Sequence, residues 1–190
     1  MSDPRDRRRR KRDQTHERIY AAAMRLFAER GFDDVSVAQI AAAAEVSVPT
    51  FYAHFPAKEQ VVVQVPSAEA VAALLARQPA DRPVAERMRG AVRNWFAAIG
   101  PQERAELLAR WRIVVTHPGL RLRSAELERT TAAMVVDHLR ATGCSGAADT
   151  VVVNAYLSAV NTVLVAWADA EGRRTLEELT EEAFEALRSH

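Results

Sequence analysis

Residues 36–55 read SVAQIAAAAEVSVPTFYAHF, two short helices meeting at a tight turn. Ser36 precedes an apolar run with Gln39 three residues on, a capping box in which each side chain satisfies the other residue's free backbone N–H. Val37, Ile40 and Ala41 then share one helical face. Glu45 and Val46 break the pattern, and Ser47 is a second N-cap residue. Pro49 falls in the next first turn, where its missing N–H has no intrahelical acceptor to serve. Thr50, Tyr52 and His54 alternate with Phe51 and Phe55, which turns the phenyl rings inward and the hydroxyls and imidazole outward. Such a pair, with the second helix short and polar on its outer face, is the arrangement that lays a helix in the DNA major groove.

Outward from that stretch, 190 residues are enough for a real core and for one or two domains. Hydrophobic residues make up 48% of the chain and no Ser/Gly-rich tract interrupts it, so most of it folds. The valine runs at 61–63 and 151–153 lie inside helical patterns, and an all-α protein of about nine helices is predicted. The single cysteine, Cys144, excludes an internal disulfide framework and fits a reducing cytoplasm. The basic N-terminus is not followed by an apolar segment and does not read as a signal peptide.

Charge is unevenly placed. Arg5, Arg7, Arg8, Arg9, Arg10, Lys11 and Arg12 stand against Asp3 and Asp6, whereas the whole chain carries a formal net charge of only +1. Residues 1–12 are therefore expected to form a disordered basic arm drawn to phosphates or another polyanion. The plainer alternative is a solvated tail of an arginine-rich protein, since Lys occurs only at 11 and 58.

The first helix is predicted from Gln14 or Thr15 to Arg30, with Ile19, Ala22, Ala23, Leu26 and Phe27 inward and Gly31 as its stop. After the two helices of the opening stretch, Lys58 and Glu59 begin a fourth. Pro66 should kink or split it, and Ser67 can cap the second half. The pairs Arg18-Ile19, Ala22-Ala23, Leu26-Phe27, Gly31-Phe32, Ser36-Val37, Ile40-Ala41, Val46-Ser47, Phe51-Tyr52, His54-Phe55 and Lys58-Glu59, with Ala44 and Thr50, resemble in order and spacing the N-terminal domain of the TetR family. The resemblance covers about residues 13–73, taken as the DNA-binding domain with its helix-turn-helix at 36–55. It implies an all-helical homodimeric repressor, usually released from DNA by a small ligand. Glu45 departs from the pattern, since the family often has Gly there. A glutamate in a left-handed turn costs on the order of 1–2 kcal/mol.

Within that head, Ser47, Val48, Pro49 and Thr50 form the first turn of the recognition helix, the part that reaches base edges. Val48 and Pro49 offer apolar contact to thymine methyls, and the two hydroxyls serve base or phosphate. Tyr52, His54, Lys58 and Ser36 match family positions that commonly grip the phosphate backbone, contacts that fix register without reading sequence. A packed imidazole is the alternative for His54, and a solvated helix-start lysine for Lys58.

Residues 77–190 read as a helical ligand-binding and dimerisation domain. A loop at 77–83 leads to a helix through Met88, Val92, Trp95 and Phe96. Pro101 opens the next, with Leu107, Leu108, Trp111 and 114–115 apolar, and two longer helices follow at about 120–141 and 149–170. The second of these is apolar almost all round, which predicts full burial. Asn154, Ser158, Asn161 and Thr162 interrupt it, which argues against a membrane span. Asn154, Ser158 and Asn161 share one stripe, where as buried polar groups they either line a ligand cavity or tie the helix to its neighbours. Trp95, Trp111, Tyr156 and Trp167 form either an apolar pocket wall or ordinary core. Thr175 with Glu178 caps the last helix. If the body follows the family, the last two helices pair with their symmetry mates.

Residues 110–121, RWRIVVTHPGLR, together with the 149–170 pattern, also resemble an actinobacterial TetR subgroup binding acyl-CoA-like ligands. That resemblance implies an anionic head group on Arg110 or Arg112, although both also fit surface charges. No paired carboxylates, metal-spaced cluster, nucleophile elbow or phosphate-cradling glycine loop stands out, and the histidines at 16, 54, 117, 138 and 190 are scattered. The sequence thus points to a cytoplasmic, sequence-specific DNA-binding regulator needing no cofactor or metal. A ligand-released repressor is the leading form; a nucleic-acid binder without effector, or an activator, is the alternative.

Overall fold

A computed structural model describes residues 4–143 and 146–189, and Cys144 lies outside them. The described residues form ten helices and no strand. The chain divides into two compact units, Met1–Val62 and Val63–His190.

The first unit holds α1 (Pro4–Arg30), α2 (Val37–Ala43), α3 (Val48–His54) and α4 (Glu59–Val62). The basic arm expected to be disordered is instead helical from Pro4, continuous with the rest of α1. Arginine and lysine are good helix formers, and extending an existing helix avoids the cost of nucleation. Asp6 lies in the first turn, where a carboxylate complements the helix dipole. Ile19, Ala23, Leu26 and Phe27 are buried as the spacing predicts. Gly31 then ends α1 at φ 86°, its N–H donating to the Phe27 carbonyl at 2.9 Å. Phe32 folds back on Phe27 with ring centroids 5.0 Å apart. Against this platform α2 buries Ile40 and Ala41, and α3 buries Phe51.

The second unit holds α5 (Ala68–Ala76), α6 (Val84–Ala98), α7 (Pro101–Thr116), α8 (Pro118–Ala141), α9 (Ala147–Asp169) and α10 (Leu176–Ser189). Pro66 lies in a complete break between α4 and α5, and Ser67 caps α5 by accepting from the Ala70 N–H. The boundary therefore falls earlier than residue 73, because Val71 and Leu75 of α5 join the core of the second unit.

α9 is the hub of that unit, packed by α6, α7, α8 and α10. By length and composition it would cross a membrane, with a mean hydropathy of 1.6. Its apolar surface is nevertheless used inside the bundle, where Val153, Tyr156, Val163, Leu164 and Trp167 are buried. Tyr156 meets Phe184 of α10 edge-on at 5.1 Å. The expectation of full burial is corrected on the opposite face. Val151 is 68% exposed, and Asn154, Ser158 and Thr162 are exposed along the same stripe, because no helix of the unit covers it.

Candidate nucleic-acid interface

The turn between α2 and α3 follows from local chemistry. The Ser36 hydroxyl accepts from the Gln39 N–H at 3.2 Å while the Ser36 N–H donates to Gln39 Oε1 at 2.8 Å, completing the capping box. At the other end of α2 the Val46 N–H donates to the Ala41 carbonyl and the Glu45 N–H to that of Ala42, a Schellman closure. This requires a left-handed residue, and Glu45 supplies it at φ 55°. Ser47 then caps α3, its hydroxyl accepting from the Thr50 N–H at 3.2 Å and sharing a hydrogen bond with the Thr50 hydroxyl at 2.8 Å.

Phe51 and Phe55 are buried and anchor α3 from below. The opposite face is open: Val48 is 37% and Tyr52 49% exposed, Ser47 and Pro49 are exposed, and Thr50 is half-buried. Ser36 is exposed at the N-terminus of α2.

His54 is half-buried at the end of α3. His16, a residue the sequence reading passed over, stacks on Phe55 at 4.3 Å and lies 5.9 Å from the His54 ring. The signal for it was present, since His16 continues the stripe of Ile19 and Ala23. Desolvation above all, then the facing His16 and Arg12, hold the His54 imidazole below its ordinary pKa.

Lys58, expected to meet a phosphate, has its ammonium on the turn after α1. Its ammonium donates to the carbonyls of Phe32 at 2.8 Å and Val35 at 3.0 Å, and stands 4.2 Å from the centroid of the Phe32 ring. A cation with two of its three donors spent on a turn is a fastening of that turn.

Among the ligand candidates of the body, Tyr156 is buried and Trp95 and Trp111 are half-buried at the edge of the core. Trp95 stacks on Phe96 at 4.6 Å. The stripe Asn154, Ser158, Asn161 is not the buried polar row the spacing suggested. Asn154 and Ser158 are exposed, Asn161 is half-buried, and the Asn154 amide donates back to the Thr150 carbonyl. On α8, burial above all holds the Glu128 carboxyl above its ordinary pKa, with Ser158 and Arg129 lowering it in part. Of the two arginines on α7, Arg110 is half-buried and Arg112 is exposed. Arg87 of α6, only 3% exposed, was missed, although it falls on the apolar stripe with Val84, Met88 and Ala91. No group of three His, Cys, Asp or Glu side chains that would hold a metal occurs among the described residues.

Two short capped helices, a phenylalanine-anchored second helix and its outward first turn define the first unit as a helix-turn-helix head. Residues 19–65 match the tetR family of bacterial regulatory proteins, and residues 82–190 match the MftR C-terminal domain. The chain belongs to the TetR family of transcriptional regulators. It is similar to the transcriptional regulator TcmR of Streptomyces glaucescens, 34% identical over 142 residues that make up 67% of this chain and 62% of TcmR. It is also 34% identical to EthR of Mycobacterium tuberculosis over 87 residues, 43% of this chain and 40% of EthR. The match thus spans less than two thirds of the length of either relative. Among solved structures, Thermus thermophilus FadR, a TetR-family repressor in complex with lauroyl-CoA, superposes with a TM-score of 0.55 at 25% identity, covering 90% of this chain and 92% of FadR. FadR of Bacillus halodurans shares the fold at a TM-score of 0.51 and 22% identity, covering 91% and 94%.

Proposed function

We propose that this protein is a homodimeric repressor that binds a palindromic operator in the cytoplasm and is released by a small apolar or acyl-CoA-like ligand. The open first turn of α3 carries the reading. Ser47, Val48, Pro49 and Thr50 approach base edges, while Tyr52, His54 and Ser36 engage phosphates. The helical start of α1 adds sequence-independent attraction through its exposed arginines. Lys58 acts on the same surface from behind, by holding the turn that leads into α2.

The dimer forms through α9 and α10. This is supported by the uncovered stripe of α9, with Val151 at its start, and by Leu187 on α10, which is 39% exposed. The ligand is held by the body, with Trp95, Trp111 and Tyr156 as apolar wall and Arg110 at its polar end. Asn154, Ser158 and Asn161 belong with the dimer surface, given their exposure. The similarity to a FadR solved with lauroyl-CoA supports an acyl-CoA-like ligand.

Binding-site selection with the purified protein, followed by footprinting, tests this. Two half-sites about 34–36 Å apart, or a multiple of that, are expected, with release on adding lauroyl-CoA. A footprint on one half-site only, or one that no acyl-CoA disturbs, would refute the dimer or the ligand assignment respectively.

A further inference from the structure

We infer that Arg12, His16 and His54 form one seat for a backbone phosphate of the operator, and that filling it places a proton on the histidine pair, so that operator binding is linked to pH. This rests on the reading of the first unit as a DNA-binding head. Along α3, Ser47, Thr50 and His54 recur at i, i+3 and i+7 and share one stripe. His54 therefore stands about 10 Å along the helix from the first turn. The major groove is about 12 Å wide, so a helix whose first turn meets base edges carries its far end to the phosphates bordering the groove.

On α1, His16 and Arg12 continue the buried stripe of Ile19 and Ala23 beyond the core. His16 lies on Phe55 with ring centroids 4.3 Å apart and 23° between the planes, and its ring is 5.9 Å from that of His54. Two helices thus bring two imidazoles and a guanidinium to one place at the far end of α3. Both rings are half-buried and Arg12 is exposed, so the place is open to solvent. No acid answers these groups. Elsewhere Arg93 and Arg104 each hold a glutamate, whereas among the described residues Arg12, His16 and His54 have no ion pair and no side-chain hydrogen bond. The neighbouring titratable groups are Arg8, Arg9, Asp13, Glu17 and Tyr20 on α1, Tyr52 on α3, and Glu59 opening α4. Lys58 is spent on the carbonyls of Phe32 and Val35. The charges that act on His54 are those of His16 and Arg12, and with burial they disfavour its protonated form in the free head. A phosphodiester supplies the missing negative charge, accepting from the guanidinium and from the imidazoles. An anion in contact favours the charged ring, so the pair takes a proton from solvent as the DNA seats. Affinity then rises as pH falls.

The duplex recovered by binding-site selection is titrated with the full-length protein at fixed ionic strength from about pH 8 down to about pH 6, the range in which imidazole titrates. Affinity should rise by up to about tenfold per pH unit for each proton taken up. Calorimetry in buffers of different ionisation enthalpy should register the same proton. His16→Gln combined with His54→Gln should flatten the rise. Arg12→Gln should weaken binding severalfold at every pH and lower the salt slope by about 1. With the wild-type protein, a neutral methylphosphonate placed at each backbone position in turn should remove the pH dependence at a single position of each half-site. A rise that survives the double histidine variant, or that no single methylphosphonate removes, would overturn the seat. An operator complex of pH-independent affinity would sink the seat and leave the DNA-binding head standing. Selection that recovers no duplex would sink both.

Discussion

The Lys58 ammonium donates to the Phe32 carbonyl at 2.8 Å and lies over the same residue's ring at 4.2 Å, so one side chain binds both the backbone and the face of the turn after α1. With the Val35 carbonyl as second acceptor, this turn is held one residue before Ser36 opens α2. Hydrogen bonds to a charged group contribute roughly 1.5–3 kcal/mol. Lys58→Met is therefore expected to destabilise the first unit by about 2 kcal/mol in urea denaturation. The salt dependence of operator binding should keep its slope, whereas loss of a phosphate contact would flatten it by about 1. A flattened slope with unchanged stability would return Lys58 to the DNA.

Glu45 occupies the left-handed position that closes α2, at φ 55°. Glycine adopts that conformation without the steric cost of a Cβ, about 1 kcal/mol here. Glu45→Gly should raise the urea midpoint accordingly with an unchanged m-value. It should also tighten operator binding at low salt, since it removes an exposed carboxylate beside the reading helix. A lowered midpoint would mean that the glutamate makes a compensating contact.

These two residues mark what the sequence discloses and what it withholds. Caps and the left-handed glutamate are set by neighbours within about five positions, and both were legible. The bonds from Lys58 to the turn after α1 were not legible because its partners lie 23 and 26 residues away. The uncovered stripe of α9 was misread for a related reason: hydropathy gives the face of a helix but not how many neighbours the bundle supplies. The extension of α1 was lost to composition, which reads a run of arginines as a tail although each favours a helix. Arg110 and Arg112 were read as alternatives, although they stand some 200° apart on α7 and only Arg110 falls on the stripe of Leu107 and Val114.

His54 gives the head a pH response. Its folded pKa lies below the ordinary 6.5, through burial first, then His16 and Arg12. For a base with a depressed pKa the unfolded state binds protons more readily, so stability is full above 6.5 and declines as pH falls from there toward the folded pKa. The His54 ring signals in a proton NMR titration should reach their midpoint below 6.5 in wild type. In His16→Gln the midpoint should rise, since that change removes one like-charge neighbour. A midpoint at or above 6.5 in wild type would contradict burial, with His16 and Arg12 beside it, as the source of the shift.

Arg104 joins three helices of the second unit. Its guanidinium donates to the carbonyls of Phe96 and Ile99, which end α6, and to the Glu177 carboxylate of α10. The bond from Arg104 chiefly holds the Glu177 carboxyl below its ordinary pKa. A depressed carboxylate stabilises above its ordinary value, near 4.5, and this contribution is lost as pH falls through the folded pKa. Glu177 is half exposed, so screening limits the pair to under about 1 kcal/mol. Glu177→Gln should therefore cost less than that at pH 7, and the gap from wild type should close as pH falls through the lowered pKa of Glu177. Arg104→Met should cost about 2 kcal/mol at pH 7, since the two α6 carbonyls also lose their donor. Most of that deficit should persist in acid, because carbonyls do not titrate. If the two variants converge at low pH, the carbonyl contacts contribute nothing and the ion pair alone accounts for Arg104.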